Sequence, residues 1–231
     1  MVIVITGTSK GIGLGLAKYY TACGHRVIGC SRTEAGFEHA QYEHVQLDVT
    51  NAGDVQSFAF ETQKKYKSID GLINNAGAAS MNHFTLTDPD TAERLMKVNY
   101  LSAFACSRSF FKLLRKAPHP RIINFTTVAV PLNLEGELAY GASKAAVESM
   151  TKILAKELGP FKITVNAVGP TPTKTGLIAN VPKDKLENLL QQQAIKRFAE
   201  FEDILQVVNF YMDEKSDFIT GQIIYLGGIC K

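Results

Sequence analysis

Short, largely apolar runs alternate along this chain with longer stretches in which apolar residues recur every three or four positions. The runs fall at residues 2–5, 26–30, 45–48, 70–74, 121–125, 163–168 and 222–226. They lack a polar face, as expected of parallel strands covered on both sides. The periodic stretches predict helices over 14–22, 54–66, 91–116, 140–158, 183–197 and 202–212. Gly24 stops the first of these, and Thr50 or Asn51 caps the second. In 91–116 the apolar positions Leu95, Met96, Val98, Ala103, Phe104, Phe110 and Leu114 predict one long buried helix. Strand and helix alternate to the end, with no linker or repeat. The expected fold is therefore α/β: a doubly wound, seven-stranded parallel sheet with helices on both faces, Rossmann-like, one domain over 1–231. Ligands of such folds bind beyond the carboxyl ends of the strands, where strand order reverses.

Composition adds exclusions. A net charge of +3 and scattered basic residues imply no extended nucleic-acid surface. The densest basic cluster, Lys64-Lys65-Tyr66-Lys67, reads as a solvated helix end. Cys23, Cys30 and Cys106 lie in apolar surroundings and read as buried; Cys230 is next to the C-terminus. Neither they nor the five histidines have metal-ligand spacing, so no metal is expected. No signal peptide, membrane-length apolar run or disulfide framework is visible, so a cytoplasmic protein without membrane contact is expected.

The first strand ends in Thr6-Gly7-Thr8-Ser9-Lys10-Gly11-Ile12-Gly13. Glycines between a strand and a helix permit a tight turn and close approach to a pyrophosphate, which the helix N-terminus then attracts. The second strand ends Cys30-Ser31-Arg32, and no carboxylate follows until Glu34. Ser31 and Arg32 suit an added 2′-phosphate, and Lys10 supplies a second cation, so NADP(H) is favoured over NAD(H).

Tyr140 and Lys144 are four apart on a predicted helix and share a face. A free phenol titrates near ~10. A lysine charge about 4 Å away is worth about 4 kcal/mol at an effective dielectric of about 20, which would bring the phenol toward ~7. Thr126 and Thr127 end the fifth strand, with both hydroxyls expected at the same crevice. Asn99, an amide inside an apolar helix, needs partners.

This ordered set resembles the short-chain dehydrogenase/reductase family, classical type, over essentially the whole chain. The Gly loop resembles TGxxxGxG, Asp48-Val49 the segment that contacts adenine, Asn74-Asn75-Ala76-Gly77 the NNAG motif, and Tyr140 with Lys144 the YxxxK pair. Asn166-Ala-Val-Gly-Pro170, with Thr173 and Thr175, resembles the segment that holds the nicotinamide. The resemblance implies that Tyr140 exchanges a proton with substrate, Lys144 supports it and binds the ribose, and Asn99 holds a water. Thr127 stands where the family's catalytic serine usually stands, and Pro170-Thr171 replaces the usual Pro-Gly. The resulting expectation is an NADP(H)-dependent enzyme interconverting a carbonyl and a secondary alcohol, with a small-molecule substrate. A non-catalytic NAD(P)-binding protein and an epimerase of the same fold are the alternatives. The helices at 91–116 and 140–158 resemble those that pair subunits in the family, implying a homodimer or homotetramer.

The substrate pocket is expected from the segments after Thr127 and Thr175 and around 78–84, with a small lid over 171–200. Val130, Leu132, Leu134, Met81 and Leu177 make it mainly apolar. Glu135 and Glu137 read as solvent-facing loop charges; the alternative is that they bind a cationic or hydroxylated group.

Overall fold

The computed structural model describes residues 1–173 and 183–229. In chain order the elements are β1 (Val2–Thr6), α1 (Gly11–Ala22), β2 (Arg26–Ser31), β3 (Tyr42–Gln46), α2 (Ala52–Lys65), β4 (Gly71–Asn74), α3 (Pro89–Met96), a π turn (Lys97–Leu101) and α4 (Ser102–Leu114). Then come β5 (Arg121–Phe125), α5 (Ala129–Leu132), α6 (Leu138–Leu158), β6 (Thr164–Gly169), α7 (Lys183–Gln192), α8 (Phe201–Met212) and β7 (Ile223–Tyr225), with short 3-10 turns between some elements. The strands form one parallel seven-stranded sheet in the order β3-β2-β1-β4-β5-β6-β7.

The two-residue alternation of a strand divides the core. Val4 faces one side with Ile28, Leu72, Ile122 and Val165, packed on Val55 and Phe58 of α2 and Phe110 and Leu113 of α4. Ile3 and Ile5 face the other with Val27, Ile73, Ile123 and Val168, packed on Leu16 and Tyr20 of α1 and Ile204, Leu205 and Val208 of α8. Each such side chain contributes about 1.5–3 kcal/mol when fully buried. Caps set the helix starts: Asn51 accepts from Gly53 N (3.0 Å) on α2, and Asp88 accepts from Thr91 N (2.7 Å) on α3. From β1 the order runs outward through β2 and β3, and after β4 it runs the other way. The reversal opens a crevice beyond the ends of β1 and β4.

The predicted fold holds, with local differences. The helix expected over 91–116 is divided by the π turn, an irregularity that recurs at functional sites. Phe104 is 44% exposed, because it falls on the outer face of α4. Cys23 is exposed just after α1, whereas Cys30 and Cys106 are buried as expected. The helix from 183 ends at Gln192. No described helix is long and apolar enough to cross a membrane. Among the described residues no group of His, Cys, Asp or Glu could hold a metal ion.

Candidate active site

The Gly loop wraps the end of β1. Gly7 (φ 77°) and Gly11 (φ 60°) adopt left-handed backbone that disfavours other residues. Gly13 is buried against the Gly7 carbonyl, where a Cβ would overlap it. The helix α1 starts at Gly11 behind Lys10, with no side-chain cap and no acidic residue in its first turn. Its positive end therefore faces the crevice uncompensated, flanked by Ser9 and Ile12. A cavity of about 770 Å³ adjoins it, lined by Gly11, Ile12, Lys18, Thr173, Lys196 and Arg197 among others.

The amide of Asn75 is used inside the fold. Its Nδ2 donates to Thr6 O (2.8 Å) and Gly7 O (3.2 Å), while the backbone N–H groups of Asn75 and Ala76 donate to Thr6 Oγ1. The segment 75–77 is thus clamped to β1 across the reversal point. Ser31 Oγ donates to Thr33 O (2.7 Å), so its proton is committed within its own loop. Arg32 and Lys10 are exposed and form no ion pair among the described residues. The Asp48 carboxylate holds Thr50 N and Oγ1, both at 2.9 Å, and Val49 beside it is buried. Sequence reading missed a neighbouring network: Tyr42 Oη donates to Thr8 Oγ1 and meets His44 Nδ1, both at 2.9 Å. The alternation of Tyr42 and His44 along β3 was the available signal.

At the end of β5 three successive residues are held by one helix. Lys144 Nζ donates to Phe125 O (2.8 Å), Thr126 Oγ1 donates to Glu148 Oε1 (2.7 Å), and the Thr127 hydroxyl, which accepts from Ala129 N (3.2 Å), lies near enough to the Tyr140 phenol to lower its pKa. The Thr126 hydroxyl therefore points to Glu148, and only that of Thr127 shares a site with Tyr140, correcting the expectation for both. Glu148 is buried and also accepts from Tyr225 Oη (2.7 Å). Its place four residues after Lys144 on the buried stripe was legible, but we read no role into it.

Asn99 sits in the π turn, where it is reached from three sides. Its Oδ1 accepts from Ala78 N (2.8 Å), and its Nδ2 donates to Ala78 O (2.9 Å) and Ser143 Oγ (2.8 Å). A Cβ on Gly77 would lie 2.9 Å from Asn99 Oδ1 and 3.4 Å from Lys144 Nζ, so a larger residue there would crowd both.

Electrostatics depart from the sequence arithmetic. Burial pushes the Tyr140 phenol up to about 12; the Thr127 hydroxyl opposes this and the charge of Glu137 adds to it. Burial also lowers the Lys144 ammonium to about 8. Burial sets the phenol's titration, and the Lys144 ammonium is directed at the Phe125 carbonyl. Glu137 is half-buried, and desolvation raises its carboxyl to about 7. It is not the solvent-facing charge expected, whereas Glu135 is exposed and lies 3.7 Å from Lys185.

Beyond β6, Pro170 O accepts from Val128 N (3.3 Å), and Thr173 forms a parallel bridge with Ala199. Thr171 is buried, where its methyl carbon would meet a Cβ on Gly227 at 2.9 Å. Thr175, Leu177 and Cys230 lie outside the described residues.

The family model described as enoyl-(acyl carrier protein) reductase matches residues 7–228. The chain is 32% identical to the NADPH-dependent aldehyde reductase 2, chloroplastic, of Arabidopsis thaliana, over 99% of this chain and 93% of that one. The aldohexose dehydrogenase of Thermoplasma acidophilum, solved ligand-free, superposes with a TM-score of 0.88 at 28% identity, covering 98% of this chain and 92% of that one. The 3-ketoacyl-(acyl-carrier-protein) reductase of Brucella melitensis, solved with NADH, superposes with a TM-score of 0.88 at 25% identity, covering 97% and 96%. The chain belongs to the short-chain dehydrogenase/reductase family and is an NAD(P)-dependent oxidoreductase of that family.

Proposed function

We propose that the protein is an NADP(H)-dependent oxidoreductase that interconverts a carbonyl and a secondary alcohol, with Tyr140 as general acid and base. The observation that carries this reading is the meeting of Tyr140, Thr127 and Lys144 at the mouth of the crevice toward which the uncapped end of α1 is directed. The relatives' names support it: they describe reduction of aldehydes, oxidation of an aldohexose and reduction of a 3-ketoacyl group.

The residues present fit a dinucleotide. An uncapped helix N-terminus, two cations without an ion pair among the described residues and an adjoining cavity suit an anion-bearing ligand of that size. Gly7, Ser9, Lys10, Gly11, Ile12 and Gly13 would hold the pyrophosphate, Asp48 and Val49 the adenine, and Asn75, Ala76 and Gly77 the ribose side. Lys144, Pro170, Thr173 and Thr175 would hold the nicotinamide end, and residues 171–200 would form its lid. When bound, the nicotinamide supplies or takes the hydride.

The chain's own residues manage the proton. Thr127 donates to or accepts from the substrate oxygen and positions it beside the phenol. In reduction Tyr140 gives its proton to that oxygen, and in oxidation its phenolate takes one. Lys144 stabilises the phenolate, and the Asn99 side chain, held by Ala78 and Ser143, organises the route from Lys144 to solvent. The high pKa of the phenol keeps the proton available at neutral pH, which favours reduction as the working direction.

The NADP preference rests on Arg32. The Arabidopsis relative's name specifies NADPH, and the Brucella structure holds NADH, so relatives cover both cofactors. A charge-assisted bond from Arg32 is worth about 1.5–3 kcal/mol, or roughly 10–100-fold in affinity. Arg32→Ala should weaken NADP binding by that factor and change NAD binding less than about threefold. Titrating both cofactors calorimetrically decides it; an unchanged ratio removes Arg32 as the phosphate reader. Oxidation of NADPH by none of a panel of aldehydes and ketones would remove the oxidoreductase reading itself.

Exposed apolar side chains at α4 and α6 support a homodimer or homotetramer. Leu101 and Phe104, and Leu138 and Ile153, place exposed apolar side chains there.

A further inference from the structure

Glu137, Tyr140 and Lys144 stand three and four residues apart, so they form one stripe along the start of α6. Tyr140 and Lys144 are buried on that stripe, and Glu137 is half-buried at its open end. Gly136, at φ 81°, lets the chain turn just before the helix. Its carbonyl accepts from Asn82 N (2.8 Å), which ties this turn to the 78–84 segment across the cleft. A Cβ on Gly136 would touch Met81 at 3.4 Å, so the two walls are in contact beside Glu137.

Among the described residues the carboxyl of Glu137 has no partner in the fold. It is the N-cap residue of α6, yet its side chain accepts no cap hydrogen bond. Among the described residues it forms no hydrogen bond or ion pair. The exposed Glu135, two residues earlier, has Lys185 within reach. A carboxyl held partly out of water without a donor is costly, and natural structures keep such groups where a ligand completes them. It is also close enough for its charge to raise the Tyr140 phenol. Its backbone N–H donates to Leu134 O (3.2 Å), and Leu134 packs with Ala129 and Ala78 around Tyr140, so Glu137 stands beside the apolar wall of the proton donor.

We propose that Glu137 is a specificity-determining residue that binds a hydrogen-bond donor on the substrate, so the enzyme selects carbonyl compounds bearing a hydroxyl or ammonium group near the carbonyl. The apolar surroundings accept the carbon skeleton, and Glu137 rejects skeletons with no donor to offer, because its carboxyl is then left unpaired. This rests on the oxidoreductase reading for the identity of the reacting group, but not for the binding itself.

Two arms test it. The first compares NADPH consumption with glyceraldehyde against propanal, and with aminoacetone against butanone. The wild type should prefer the donor-bearing member of each pair by about 10-fold or more in kcat/KM. Glu137→Gln and Glu137→Leu should reduce that ratio, the leucine variant by about 10-fold or more, through KM rather than kcat. Equal ratios in wild type and both variants overturn the proposal. The second arm needs no turnover: 1-amino-2-propanol is titrated calorimetrically into the protein saturated with NADP. Binding weakened about 10-fold in Glu137→Gln supports the proposal, and binding that is absent or unchanged overturns it. Binding that depends on Glu137 with no turnover of any pair would count against the oxidoreductase reading while upholding this one. Because Gln is nearly isosteric with Glu, unaltered thermal unfolding of that variant separates a lost contact from a lost fold.

Discussion

Replacing Tyr140 by phenylalanine should lower kcat for carbonyl reduction by roughly 10²–10⁴-fold, the usual range for removing a general acid. KM should change by less than about threefold, since the ring remains and only the hydroxyl is lost. The sign of the pH dependence follows from burial. The phenol, pushed up to about 12, is protonated throughout the neutral range and so is ready to donate. Alcohol oxidation needs the phenolate, so its rate should climb by up to about tenfold per pH unit from pH 6 toward 9. In the phenylalanine variant that climb should disappear. Stopped-flow cofactor absorbance on both enzymes, in both directions, is the measurement. A variant with unchanged kcat would mean that another group moves the proton.

The second large effect concerns Lys144, where activity and stability should move in opposite directions. Lys144→Met should cost about 100-fold or more in kcat/KM, through loss of a charge beside the phenol and a charge-assisted hydrogen bond. Stability is governed by the depressed pKa. Burial lowers this ammonium to about 8 from its ordinary 10.5. Between those values the unfolded chain binds more protons than the folded one, so this group's contribution to stability rises with pH across that window. At pH 7 the folded state carries the full penalty of a buried charge, on the order of 3 kcal/mol. Lys144→Met removes it and leaves the Phe125 carbonyl without its donor, which costs about 1–3 kcal/mol. The variant should therefore be about as stable as wild type or more so at pH 7, and less stable at pH 10. Urea unfolding at the two pH values reads this directly. The same stability difference at both would show that the Lys144 ammonium is not depressed by the fold.

The sequence revealed most of this molecule because most of it is governed by local rules. Apolar runs of strand length located every strand but β3, an edge strand over Tyr42–Gln46 that meets the 45–48 run only at its end, and Asn51 marked a helix start through its own cap. The motifs fell at strand ends, so their convergence followed from parallel topology alone. What was hidden depends on side-chain direction across elements. Thr126 and Thr127 are adjacent in sequence, yet the strand sends them to different partners. Asn99 was visible as a misplaced amide, but the π turn that aims it has no pattern in residue type. The position of Phe104 was misread because helical periodicity alone does not distinguish an inner stripe from an outer one when the helix changes phase at a π turn. Glu137 read as a loop charge because nothing in its neighbours' identities announces that α6 begins there half out of water. The phenol pKa departs for a related reason: spacing predicts that Lys144 is near, but not that burial of the phenol dominates its titration.

The central claim is that Tyr140 delivers a proton while a hydride passes between the cofactor and a carbonyl carbon. It is tested most directly by following deuterium from NADPH labelled at C4 of the nicotinamide into product, with wild type and Tyr140→Phe side by side. The account predicts one deuterium on the carbinol carbon of the wild-type product, on a single face, and product formation slowed by roughly 10²-fold or more in the variant. Label absent from that carbon, or a variant as fast as wild type, would contradict it.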